Sequence, residues 1–166
     1  MDKLGFWSIV DSTTHAKTKE EQCEALNEAL SGLMADEIIS FQANFDQVVD
    51  KAFAWNLWSA AQLIAGKCSN EEFLDFRAWL VSKGCKVYES ALQDADSLAE
   101  IIAEDENCFF DAILYVPFEA WSEKTGKGID EFPESHSEQP EEPDGQEWPE
   151  EEVKSKLPQL AKRFVR

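Results

Sequence analysis

Apolar residues recur at steps of three and four along most of this chain, and helix-capping residues stand at the head of several of these recurrences. That period buries one face of a helix, whereas a half-buried strand alternates at every second residue. Thr18 with Glu21 forms a capping box ahead of Cys23, Leu26, Leu30 and Leu33. Ser69 with Glu72 forms a second, ahead of Phe73, Phe76 and Leu80, in a stripe that stops at Gly84. Between them Asp36 is expected to cap a helix carrying Ile38, Phe41, Phe45, Val48, Ala52 and Phe53. Trp55 to Ile64 reads as a short, nearly all-apolar helix closed near Gly66. Val87 to Leu92 follows as another, and Asp96 is expected to cap a turn bearing Leu98, Ile101 and Ile102. Phe109, Phe110, Ile113, Leu114 and Trp121 predict one further helix ending at Gly126, kinked where Pro117 cannot bond the Ile113 carbonyl. No alternating run is long enough for a strand, so the expected fold is all-α.

At 166 residues and 43% hydrophobic content the chain suffices for one domain with its own core. Its composition changes sharply at Lys127: the stretch to Glu150 holds four of the six prolines and nine acids against one base. Residues 1–126 are therefore read as the helical core and 127–150 as a flexible acidic loop. Residues 151–166 are read as a short basic helix of the same domain, with Leu157, Leu160 and Phe164 packing back on the body. Lys154, Lys156, Lys162 and Arg163 are expected to face acidic surface.

The formal charge of -19 excludes whole classes of partner. Such a field repels phosphate backbones and anionic lipid, which argues against nucleic acid and membrane surfaces. The longest uncharged stretch, Ala52 to Gly66, is shorter than the roughly twenty residues that a spanning helix needs. Met1 to Asp11 carries no small-residue cleavage site, so no secretory leader is expected. Cys23, Cys68, Cys85 and Cys108 form no C-x-x-C or Cys/His pattern, which points to reduced thiols in the cytoplasm and no bound metal. His15 and His136 belong to no ligand or triad motif, and no glycine-rich phosphate loop is present. Neither a cofactor nor a catalytic group is predicted.

The densest chemical signal lies at Trp55, Trp58, Phe73, Phe76, Arg77 and Trp79. Arg77 is the one arginine within residues 1–126. Among aromatic rings a guanidinium either holds an anionic ligand or pairs with an internal carboxylate, and Asp46 is the expected internal partner. Asp46 and Asp50 stand four apart on one helix, where they either hold a cation or sit solvated. Asp46, Trp55, Trp58, Arg77 and Trp79 make up the candidate binding set.

At these residues the chain resembles a bacterial family known as domain of unknown function 4240. The matching elements are Phe6-Trp7 with Asp11, Phe41 through Phe45-Asp46, and Trp55-Asn56-Leu57-Trp58-Ser59-Ala60-Ala61 with Leu63-Ile64. Cys68-Ser69, Phe73-x-x-Phe76-Arg77-x-Trp79-Leu80 and Asp96-x-Leu98-Ala99 follow, and Trp148 with Leu157-Pro158-x-Leu160 closes the chain. It departs from the family pattern at Asn56, at Ser59 and at Asn70-Glu71-Glu72, which argues against a metal-binding acidic cluster there. The resemblance implies a single helical domain and carries no activity.

Charge and the missing catalytic motifs point to a non-enzymatic interaction protein that binds a basic protein partner. An immunity-like inhibitor of a toxin is one form such a protein takes. The alternative is a small-ligand-binding or enzymatic domain with an aromatic pocket around Arg77. The sequence does not indicate an oligomeric state.

Overall fold

The computed structural model describes residues 1–134 and 140–165, so His136 lies outside the described part. The order is α1 (Lys3–Asp11), α2 (Lys19–Ser31), α3 (Ala35–Lys51), α4 (Trp55–Ala65), α5 (Asn70–Ser82), α6 (Cys85–Gln93), α7 (Val116–Thr125), α8 (Glu150–Lys156) and α9 (Pro158–Phe164). Three 3-10 turns, Ala95–Glu100, Ala112–Tyr115 and Ile129–Glu131, join them. There is no strand among the described residues, and the chain is an all-α domain built on one core.

Both capping boxes read from the sequence open helices: Thr18 accepts the Glu21 amide at the head of α2, and Ser69 accepts that of Glu72 at the head of α5. α3 starts differently from expectation. Asp36 lies inside its first turn, and Glu37 reaches back to accept the Met34 amide, so a residue without a capping side chain stands at the boundary. Pro117 does not kink a long helix. It sits in the first turn of α7, where a missing N–H costs nothing, and the preceding segment is the 3-10 turn Ala112–Tyr115.

α5 runs through the middle of the molecule. Phe73, Phe76, Arg77, Ala78, Trp79, Leu80, Val81 and Ser82 are all buried, as befits a helix surrounded on most sides. Trp55, Trp58, Phe73, Phe76 and Trp79 form one ladder of rings with successive centroids 5.3, 5.0, 6.2 and 5.5 Å apart. Around Phe6 a second group gathers Trp7, Phe41 and Phe45 from α1 and α3. The turn from α5 to α6 needs glycine: Gly84 has φ 99°, and a Cβ there would lie 2.8 Å from the Asp11 Oδ1 that accepts the Cys85 amide.

Asp96 has a longer reach than expected. Asp94, not Asp96, caps the turn at Ala95–Glu100. The buried Asp96 carboxylate instead accepts the amides of Gln159 and Leu160 at 3.0 and 2.8 Å, capping α9 from more than sixty residues away. Leu157 and Leu160 are buried beside it, Phe164 is half-buried, and Arg163 donates to the Ala99 carbonyl. α9 is therefore held by a cap, two leucines and the Arg163 bond to Ala99, and among the described residues no ion pair joins it to the body.

The segment read as a flexible acidic loop is tied to the body through several of its described residues. Phe132 packs edge-on against Phe118 and Trp121, with centroids 4.6 and 5.2 Å away. Asp144 exchanges backbone bonds with the α3–α4 link, donating to the Phe53 carbonyl and accepting the Trp55 amide. Trp148 packs against the core.

Asp96→Ala is expected to lower stability in urea unfolding by about 1–2 kcal/mol, the usual value of a cap, and to speed amide exchange across residues 158–164. Unaltered exchange there would mean that α9 is held by its leucines alone.

Candidate functional site

α3 stops at Lys51 because the Phe53 amide turns to the Asp50 carbonyl instead of that of Val49, and the Val49 oxygen is left without a helical donor. Arg77 supplies one. Its Nη1 donates to Val49 O at 3.0 Å and its Nε to Phe73 O, while the guanidinium lies 4.7 and 4.8 Å from the Phe53 and Phe73 ring centroids. Tyr88 donates its hydroxyl to the neighbouring Val48 carbonyl at 2.7 Å. The expected tie from Arg77 to Asp46 is not made: among the described residues no carboxylate pairs with Arg77, and Asp46 accepts from Gln42 Nε2 at 2.8 Å. An orphan carbonyl at a helix C-terminus is a good partner for a cation, and two rings fill the remaining contact. Burial pulls the Arg77 pKa down to about 10, against the pull of the Asp50 charge, and it is still a cation at neutral pH.

Beside Arg77 runs a groove of about 440 Å3 between α3, α5 and the start of α7. Gln42, Asp46, Val49 and Asp50 line it from α3, at the three- and four-residue steps that put them on one side of the helix, and Phe53 joins them from the link to α4. α5 contributes Asn70, Glu71, Leu74 and Arg77 in the same way. Leu114, Tyr115 and Phe118 close the third side, and Pro140 and Glu141 of the acidic segment lie at the edge. A second recess of about 360 Å3 continues past Phe118 to Ile129, Phe132 and Pro133, sharing Gln42, Asp46, Tyr115 and Phe118 with the first.

The carboxylates here are uncomfortable. Burial raises the pKa of Asp46, the Gln42 bond offsets part of that, and the charge of Asp50 adds to the rise. Burial also raises that of Asp50, with Arg77 opposing. Behind them Asp75 is raised by burial and by Asp111, Glu72 and Glu71. Gln42 is 6% exposed, and its Oε1 is buried with no donor among the described residues.

Of the candidate set, Asp46 and Arg77 face the groove together. Trp55, Trp58 and Trp79 belong to the ring ladder instead: Trp58 Nε1 donates to the Cys68 carbonyl, and Trp79 Nε1 donates to Glu106 at 2.7 Å. Gln42, Leu74, Tyr115 and Phe118 escaped the sequence reading. Gln42 stands one turn before Asp46, a spacing that could have drawn notice; Tyr115 and Phe118 reach the groove only through tertiary packing.

Among the described residues no group of three or more His, Cys, Asp and Glu side chains is placed to hold a metal ion. The four cysteines are unpaired, and burial pushes the thiols of Cys23 and Cys68 up to about 11 and that of Cys108 to about 12, far from nucleophilic at neutral pH. No described helix is long and apolar enough to cross a membrane.

Residues 1–123 match the family described as "Protein of unknown function (DUF4240)", and the chain belongs to that family. The match takes in α1 to α6 and most of α7, hence every groove residue except Pro140 and Glu141; Trp148 and the Leu157–Leu160 segment lie beyond it. No curated protein and no solved structure matches the chain.

Two outcomes follow from this geometry. Arg77→Ala strands the Val49 carbonyl and empties the space between two rings, so chemical denaturation is expected to show a loss of about 2–4 kcal/mol. Arg77→Lys should recover only part of it, since an ammonium lacks the planar face. A variant as stable as wild type would show that the guanidinium does not hold α3 to α5.

The second concerns pH. Asp46, Asp50 and Asp75 bind protons more tightly folded than unfolded, so stability gains as pH falls from neutral through their raised pKa values. That gain ends near the ordinary carboxylate range, about 4. Glu106 works in the opposite sense: burial would raise its pKa, but bonds from Lys83, Ala103 and Trp79 hold it low, a contribution lost only below its ordinary value of 4.5. The melting temperature should therefore rise as the pH falls from neutral toward the ordinary carboxylate range, and rise less in Asp46→Asn/Asp50→Asn. A melting temperature that falls over that range would contradict the assignment.

Proposed function

We propose that this DUF4240 chain is a non-enzymatic interaction protein whose groove between α3, α5 and α7 binds a basic protein partner. The observation that carries the reading is the groove's rim. Leu74, Tyr115 and Ile129 are 37, 59 and 51% exposed, three of the seven large apolar side chains left open to solvent, and all three line the groove or its continuation. Asp46, Asp50, Glu71, Glu134 and Glu141 stand among them. Apolar anchors inside a charged surround are what a protein interface uses: the rings give contact area and the rim selects the sign of the partner. Among the described residues no histidine, cysteine, serine or lysine lines this groove, so it holds no Ser–His or Cys–His pair and no nucleophilic amine.

Inhibition of a basic toxin is one form of this activity that the charge of -19 would suit, and a cytoplasmic setting agrees with four unpaired thiols. The alternative of an anion anchored on Arg77 has less to support it, because that guanidinium already serves the Val49 and Phe73 carbonyls.

The test is capture from native lysate of the source cells with the full chain as bait, in parallel with Tyr115→Ala/Ile129→Ser. Wild type should retain a protein of high isoelectric point that added salt releases, and the variant should lose it at least about tenfold, as removal of interface anchors does. Capture of the same proteins by both baits, or of neutral and acidic ones only, overturns the reading.

A further inference from the structure

Within the groove the charges are unevenly matched. Asp50 has the positive charge of Arg77 acting on it, whereas among the described residues no cation acts on Asp46. Asp46 uses Oδ1 to accept from Gln42, and its Oδ2 accepts nothing from the described residues. The carboxamide of Gln42 gives its Nε2 to that bond, and its buried Oε1 finds no donor. A buried acceptor without a donor costs about 1–3 kcal/mol, so it either reflects strain or awaits a ligand that brings an N–H. Here it stands in the wall common to both halves of the groove, beside a carboxylate that lacks a counter-charge. What fits is a group carrying positive charge and several N–H donors on an apolar stem, since Tyr115 and Phe118 flank the same two residues. A metal ion could bind both oxygens directly, but among the described residues no group of three or more His, Cys, Asp and Glu side chains is placed to hold one. An ammonium is compact and strongly hydrated; a guanidinium is planar, weakly hydrated, stacks on rings and donates along two edges at once.

We propose that the groove receives one arginine side chain of the protein partner, its guanidinium donating to Asp46 Oδ2 and, once the Gln42 carboxamide turns outward from its buried position, to Gln42 Oε1, with its stem lying against Tyr115 and Phe118. The assignment rests on the partner-binding reading above and names the contact at the centre of it. Arg77 bounds the site on the Asp50 side, so the incoming cation sits toward Asp46 and the Phe118 recess, away from the resident one.

The test uses the full chain and N-acetyl-arginine-N′-methylamide, followed through the side-chain amide NMR signal of Gln42. The expected result is a saturable shift of that signal, at least tenfold weaker with the neutral citrulline analogue and with the lysine analogue. Asp46→Asn should abolish the response while the tryptophan indole signals stay in place, and Asp50→Asn should keep it. No shift at Gln42, an equal response to the citrulline or lysine analogue, or an unchanged response in Asp46→Asn overturns the proposal. Lysate capture separates the two levels. If Tyr115→Ala/Ile129→Ser loses the partner and Asp46→Asn retains it, the groove binds a protein but not through this arginine. If both variants retain it, the partner-binding reading falls as well.

Discussion

Arg77 is the joint on which the arrangement of α3, α4 and α5 depends. Its charge lies in a buried position where, among the described residues, no carboxylate pairs with it and Asp50 acts on it only from a distance, which would be costly were the guanidinium not occupied by other means. The means are two carbonyls and two aromatic faces. One carbonyl, that of Val49, exists as a free acceptor only because α3 ends two residues later, so the stop of one helix creates the partner that fixes its neighbour. The rings belong to Phe53, in the link to α4, and Phe73, in α5 itself. Phe73 also stacks on Trp58 and Phe76, so the same ring passes the constraint into the ladder that packs α4 on α5. The groove wall inherits this geometry. Asp46 and Asp50 ride on the α3 surface that Arg77 holds against α5, and their separation from Leu74 and Glu71 is set at that joint.

A second constraint acts at the C-terminal end, and it too works through a helix terminus. Asp96 satisfies the first amides of α9, a short helix with little stability of its own. Because α9 is anchored on α4 and on the turn after α6, the chain leaving α7 must return across the body to reach it. On the way Phe132 seats against Phe118 and Trp121, and Asp144 bonds to both sides of the α3–α4 link. A proline-rich acidic stretch pinned at intervals thus becomes part of the groove's edge, through Pro133, Pro140 and Glu141.

What could be read from the sequence was whatever is local. The boxes at Thr18 and Ser69 work within one helical turn, and the apolar stripes of α2, α3 and α5 bury the residues that their spacing selects, from Leu26 and Leu30 to Phe73, Phe76 and Leu80. The misplacements share the opposite property. Asp96 had a turn beside it to cap, yet its carboxylate is engaged by amides that tertiary folding brings close. Asp46 was the natural acid for Arg77 by charge, but a carbonyl at a helix end and a glutamine one turn away settled both side chains differently. Pro117 signalled a break correctly, and whether a break is a kink or a beginning depends on what precedes it. The tryptophans drew attention by density, which in a helical protein with a central buried helix is first of all a packing demand. Gln42 offered only its spacing, one turn before Asp46, because an unmatched acceptor exists only once the surroundings are known.

Charge and groove act over different distances, and this bears on why they occur together. Exposed Leu74, Tyr115 and Ile129 along one groove would invite two copies of a neutral protein to associate. Carboxylates placed among those side chains change the outcome. A second copy brings the same sign to the contact and is repelled at separations up to a Debye length, about 8 Å at physiological salt. On the proposed reading, a cationic partner would be drawn in over the same range and then meet the apolar anchors at contact distance. The desolvation that raises the pKa of Asp46 and Asp50 is thus a standing cost of keeping anionic groups beside apolar surface. A positive neighbour relieves it, as Arg77 already does in part for Asp50; on the proposed reading a cationic partner would do the same for Asp46, and discrimination between self and partner would follow from the same residues that make the free protein less stable than it could be.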